Sequence, residues 1–112
     1  MSLSSTIEND TRVITVASNR IDAAMAIQFK EDMRSETAEG PDRILLDLTN
    51  VEFIDSSGLG AIVASMKQLG RNQTLELAGL TPNVQKVFRL TRMDTIFNLF
   101  PTLSDALDAK RA

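Results

Sequence analysis

The chain has 112 residues, 43% of them hydrophobic and 24% charged, the size and balance of one domain around one core. Its 12 basic and 15 acidic side chains leave a formal charge of −3, which disfavours a nucleic-acid binder that must contact phosphates and a polybasic membrane-surface binder. Cys and His are both absent, which removes disulfides, thiol chemistry, imidazole bases, Ser-His-Asp triads and thiolate or imidazole metal sites. No apolar run reaches the length of a membrane span, and Met1-Ser2-Leu3-Ser4-Ser5 has no basic region leading into an apolar stretch. A cytoplasmic protein without direct membrane insertion is therefore expected.

In chain order, Leu3 to Glu8 is a weak strand candidate and Asn9-Asp10 a turn signal. Thr11 to Ala17, with Val13, Ile14, Thr15 and Val16, has good strand composition. Ser18-Asn19-Arg20 reads as a loop, and Asp22 can cap a helix running from Ala23 to Thr37. Ala26, Phe29 and Met33 share the apolar face of that helix. Gly40-Pro41 ends the segment. Arg43 to Leu48 is the strongest strand, apolar on nearly both sides, which places it centrally. Thr49 to Ile54 is a connection whose Val51, Phe53 and Ile54 are expected to pack inward. Leu59, Ile62, Val63, Met66 and Leu69 then keep helical spacing up to a stop at Gly70. Thr74 to Ala78 is a further strand, broken by Gly79. Thr81-Pro82 opens a third helix, with Thr at the cap and Pro in the first turn. Ile96, Phe97, Leu99 and Phe100 form a short apolar segment with the makings of an edge strand, and a last helix is expected over Ser104–Lys110. Alternating strands and helices predict an α/β fold in a single domain over residues 1–112. Its sheet is mixed and four- to five-stranded, with about four helices.

The stretch that can carry chemistry is Asp55-Ser56-Ser57-Gly58-Leu59-Gly60. Here a buried strand leads through a turn into a helix at two hydroxyls and two glycines. A helix N-terminus presents unpaired N–H groups and a partial positive charge, which suit an anion or a phosphorylated serine. The same residues also spell an ordinary helix cap, and Gly can serve helix–sheet packing. Gly58 and Gly60 equally leave room for the close approach of a partner. A nucleophile elbow would need Gly-x-Ser-x-Gly and a His base, and a P-loop would need Gly-Lys-Ser/Thr; neither occurs. Asp47, Glu52 and Asp55 could ligate magnesium, but their spacing does not require it. No metal or cofactor is expected, and no enzyme.

Phe53-Ile54-Asp55-Ser56-Ser57-Gly58-Leu59-Gly60 resembles the signature turn of the STAS family, named for sulfate transporters and anti-sigma-factor antagonists. The resemblance covers nearly the whole chain: Pro82 to Thr91 is similar to the family's third helix, and Met93 to Phe97 to the segment after it. It implies an anti-sigma-factor antagonist, also called an anti-anti-sigma factor, that acts by partner switching. Ser56 would be the phosphorylation site, with Ser57 as a fallback. The unphosphorylated form would sequester an anti-sigma factor that is also a GHKL-type serine kinase, a phosphoserine phosphatase would reset the switch, and transcription would be the output. The resemblance further implies a domain that is monomeric when free. The partner-binding surface it implies comprises Asn19, Arg20, Asp22, Asp55, Ser56, Ser57, Gly58, Leu59 and Gly60. One departure stands out. Many family members carry Gly-x-Leu/Ile-Asp where this chain has Asn19-Arg20-Ile21-Asp22, and Asn is the residue that best tolerates a left-handed backbone in place of glycine. The alternative role within the family is an accessory subunit of a lipid-transport ABC ATPase complex.

Among the remaining residues, Lys86, Arg89 and Arg92 read as a solvated helix face, with a partner-binding patch as the alternative. Met33 and Met66 read as core, and Phe53 and Ile54 as anchors of the turn.

Overall fold

A computed structural model describes residues 3–109. The chain begins with a hairpin of β1 (Leu3–Glu8) and β2 (Thr11–Val16). They are joined by Asn9 and Asp10, both left-handed at φ 51° and 59°. Two consecutive left-handed residues twist a two-residue turn in the same sense as the strands it joins, and Asn and Asp bear that backbone at little cost. After a two-residue strand β3 (Arg20–Ile21) comes helix α1 (Ala26–Thr37). The order continues with β4 (Arg43–Asp47), β5 (Phe53–Ile54), α2 (Ser56–Lys67) and β6 (Thr74–Ala78). Helix α3 (Pro82–Leu90), a 3-10 turn (Met93–Thr95), β7 (Leu99–Phe100) and α4 (Leu103–Asp108) complete it.

The main sheet has the order β1-β2-β4-β6-β7, with β3 and β5 forming a separate pair. β1 runs antiparallel to β2, and every other pairing is parallel. β4 is central, and all five of its residues are buried. Ile44 and Leu46 join Ile14, Val16, Leu75 and Leu77 under α1, α2 and α3. The opposite face carries Leu45 and Ala78 against Ala106 of α4. The five strands and four α-helices of this mixed sheet match the architecture the sequence predicts.

Each face is closed by specific contacts. Phe29, Met33, Ile62, Val84 and Phe88 fill the larger core, each worth about 1.5–3 kcal/mol of buried apolar side chain. Phe97 meets Phe88 edge-on at 6.0 Å. On the smaller face, the Arg43 guanidinium donates to Glu76 Oε1 at 2.8 Å and to the Ala106 carbonyl at 2.7 Å. It thereby holds one of the last carbonyls of α4, which the helix itself cannot satisfy.

Several boundaries differ from expectation. α1 begins at Ala26 rather than Ala23: residues 23–25 form a turn closed by the Met25 N–H on the Asp22 carbonyl at 3.1 Å, with the Ala23 and Ala24 N–H groups donating to the carboxylates of Asp55 and Asp22. Asp22 therefore caps the turn ahead of α1, not the helix. Arg20 lies in β3 rather than in a loop. α2 stops at Lys67, before Gly70. The last helix starts one residue earlier than expected, at Leu103, and the expected end at Lys110 lies outside the described residues.

Candidate functional site

The site forms where the short pair β3–β5 hands the chain to α2. Arg20 pairs with Phe53 and Ile21 with Ile54, and the Asn19 carbonyl accepts from Glu52 N–H at 2.8 Å and Phe53 N–H at 3.3 Å. Asn19 is not left-handed: among the described non-glycine residues only Asn9, Asp10 and Arg92 are. Loss of the family glycine at this position is thus accommodated by ordinary backbone, with the carbonyl rather than the side chain of Asn19 holding the turn.

Asp55 is the N-cap of α2, in extended conformation. Its Oδ1 accepts from Gly58 N–H at 2.8 Å and its Oδ2 from Ala23 N–H at 3.1 Å. One carboxylate thus satisfies a first-turn donor of α2 and ties the turn before α1 to it. Both oxygens are engaged by backbone, so capping is what the geometry shows for Asp55. Ser56 and Ser57 occupy the first two helical positions and are exposed. Among the described residues neither hydroxyl has a hydrogen-bond partner. Their N–H groups belong to the first turn of α2, which the helix cannot satisfy internally.

The two glycines separate cleanly. Gly58 is buried, and a methyl group there would lie 2.0 Å from the Ile21 carbonyl oxygen. Its lack of a side chain lets α2 approach β3, so it builds the surface from beneath. Gly60 is exposed, with nothing within 4 Å of such a methyl. Leu59 is half-buried against the main core. Asp22 is half-buried, 3.5 Å from the Arg20 guanidinium. The structure therefore brings Asn19, Arg20, Asp22, Asp55, Ser56, Ser57 and Gly60 together at one end of the β3–β5 pair, with Leu59 half-buried beside them and Gly58 beneath.

Phe53 is a correction. Expected to pack inward, it is 50% exposed, and the Arg20 guanidinium lies 5.9 Å from its ring centroid. Successive residues in a strand face opposite sides, and Ile54, at 4% exposure, holds the inward side. That alternation rules out burying both side chains in one core, without saying which of the two turns inward.

The arrangement offers no enclosure. Grooves of about 100 and 290 Å³ lie elsewhere, the first beside Leu80, Leu99 and Phe100, the second beside Met66, Leu75 and Ile96. Asp47 spends its Oδ1 on the N–H and hydroxyl of Thr49, at 3.1 and 2.5 Å. Among the described residues no group of three acidic side chains is placed to hold a metal ion. No helix among them is long and apolar enough to cross a membrane.

A mixed five-stranded α/β domain that displays two serines on an exposed helix N-terminus defines a class of recognition module. The STAS domain model matches residues 3–106, and the chain belongs to that family. It is 32% identical over 94 residues to the anti-sigma-B factor antagonist of Listeria monocytogenes, covering 82% of each chain. It is 28% identical over 103 residues to the anti-sigma-F factor antagonist RsfB of Mycobacterium tuberculosis, covering 92% of this chain and 84% of RsfB. The crystal structure of an anti-sigma factor antagonist from Mycobacterium paratuberculosis superposes with a TM-score of 0.87 at 30% identity, covering 98% and 93% of the two chains.

Proposed function

We propose that this chain is an anti-sigma factor antagonist of the bacterial cytoplasm whose grip on its partner is switched by phosphorylation of Ser56. The observation that carries the reading is the exposed Ser56 at the start of α2, on a surface braced by the two hydrogen bonds of the Asp55 carboxylate. The names of its relatives supply the class of partner, an anti-sigma factor. In this reading that factor is also a GHKL-type serine kinase, and a phosphoserine phosphatase restores the binding form. The chain is a substrate and a binding module, not a catalyst.

The switch follows from simple electrostatics. A phosphate adds nearly two negative charges and three acceptor oxygens. At the N-terminus of α2 it sits against free N–H groups and the positive end of the helix, so it costs the isolated domain little. Across a packed interface the same group must be desolvated and fitted. A penalty of about 3–4 kcal/mol weakens binding by a few hundredfold. Ser57 is the fallback site one position further into the helix. Asn19, Arg20, Asp22, Leu59 and Gly60 complete the proposed contact region, with Gly58 shaping it from below.

The test is a pull-down from the native cell with wild type, Ser56→Ala and Ser56→Glu as baits, together with phosphate mapping of the wild type. The reading requires one ATP-binding kinase-like protein that is retained by the first two baits and lost by the third, with phosphate on Ser56. Retention of a transporter ATPase by all three baits, with Ser56 and Ser57 unmodified, would replace it with the accessory-subunit role.

A further inference from the structure

The described cations fall into two groups. Arg12, Arg20, Arg34 and Arg43 each lie within 4 Å of a carboxylate, namely Glu36, Asp22, Glu31 and Glu76. Lys30, Lys67, Arg71, Lys86, Arg89 and Arg92 have no ion pair among the described residues, and of these Lys86, Arg89 and Arg92 are gathered on α3 and just after it. Lys86, Arg89 and Leu90 stand three and four residues apart, so they form one contiguous patch on the helix surface. They lie opposite Val84 and Phe88, which are buried in the core. Leu90 is 72% exposed. A large exposed apolar side chain thus stands beside Lys86 and Arg89, whose mutual repulsion no carboxylate within 4 Å relieves.

Helix polarity accounts for part of this. A cation in the last turn of a helix is favourable, which covers Arg89. It does not account for Leu90, nor for Arg92. Arg92 follows the C-terminal cap Thr91 and is left-handed, at φ 64°. Glycine ends helices in this position without strain, whereas an arginine there is held against its backbone preference. Its backbone links α3 to the 3-10 turn, the N–H donating to the Arg89 carbonyl at 3.2 Å and the carbonyl accepting from the Thr95 hydroxyl at 2.6 Å, so the fold uses the Arg92 backbone and leaves its side chain exposed.

We infer that the exposed face of α3, made by Lys86, Arg89, Leu90 and Arg92, is a second docking surface that takes an acidic, amphipathic segment of a protein partner. Charge complementarity selects the occupant: carboxylates around an apolar residue would pair with the three cations and cover Leu90. A lipid surface is favoured by clusters of four to eight cations, more than this face carries. A single-stranded nucleic acid would call for aromatic stacking side chains, and the only aromatic residue of α3, Phe88, is buried; a duplex is disfavoured by the net charge of −3. The surface shares no residue with the Ser56 turn and does not depend on the switch proposed there.

The experiment titrates the isotope-labelled full chain, followed by amide NMR shifts. The first probe is a short synthetic helical peptide with glutamates flanking a leucine–isoleucine pair. The others are the same peptide with glutamine for glutamate, phosphatidylglycerol vesicles and a short DNA duplex. The acidic peptide is expected to shift the amides of Lys86, Arg89, Leu90 and Arg92. Its affinity is expected to fall about tenfold or more for the glutamine peptide, for Lys86→Glu/Arg89→Glu and, with all charges kept, for Leu90→Ser. Ser56→Glu is expected to bind the peptide as wild type does, which separates this surface from the turn. Shifts that avoid α3, equal binding of both peptides, or tighter binding of vesicles or duplex would overturn the proposal. Unchanged melting temperatures exclude misfolding of the variants.

Discussion

A methyl group at Gly58 would lie 2.0 Å from the Ile21 carbonyl oxygen, whereas one at Gly60 would meet nothing within 4 Å. The two glycines sit two residues apart in the same helix, and each weakens it by about 1 kcal/mol relative to alanine. At Gly58 that cost secures the contact of α2 with β3, without which the turn and the helix could not share a surface. At Gly60 the packing demands nothing, and under the proposed function the constraint there is an external one, the approach of a partner. Within the fold the two identical residues therefore differ, and packing requires only Gly58.

Four substitutions break or sharpen this contrast. The largest effect is expected from Gly58→Ala, because the obstacle is backbone, which cannot rotate away. A loss of about 3 kcal/mol or more, seen as a drop in the urea midpoint, is expected, and wild-type stability would show that α2 can slide off β3 freely. Asp55→Ala removes a cap and the bond to Ala23 together and is expected to cost about 2 kcal/mol, with faster amide exchange at both Ala23 and Gly58. Exchange changes confined to Gly58 would mean that the link to α1 carries no energy. Thr81→Val is expected to cost about 1 kcal/mol. Its hydroxyl donates to the Val51 carbonyl at 2.7 Å and makes no cap bond to its own helix. The smallest effect, and one of opposite sign, is a gain of about 0.5–1 kcal/mol from Gly60→Ala in thermal melts. If the external constraint holds, the same variant binds its partner less tightly than wild type although it is more stable.

Thr81 illustrates how far local pattern reading reaches. The Thr-Pro pair marks the start of α3 correctly, since Pro82 stands at the first helical position. The use of the hydroxyl is not legible there, because its acceptor is Val51, thirty residues away. Phe53 makes the same point for burial. In a two-residue strand no periodicity exists to say which side is inside, and the side taken by Ile54 leaves Phe53 beside Arg20. The pair β3–β5 is too short to show a period for the same reason, and the turn ahead of α1 is held from two segments, by Asp22 and by the distant Asp55.

What the sequence determined by itself is the layering. β2, β4 and β6, the apolar faces of α1, α2 and α3, and the hydroxyl-bearing turn at Asp55 follow from composition and period, because partition between water and core acts on each segment locally. That Asp55 joins α2 to the turn ahead of α1, that Gly58 lies inside while Gly60 lies outside, and that Phe53 and Leu90 remain at the surface is settled only in three dimensions. Those outcomes depend on which backbone approaches which across the fold, and hydrogen-bond geometry and close packing change over tenths of an ångström, a scale at which the order of residues along the chain carries no record.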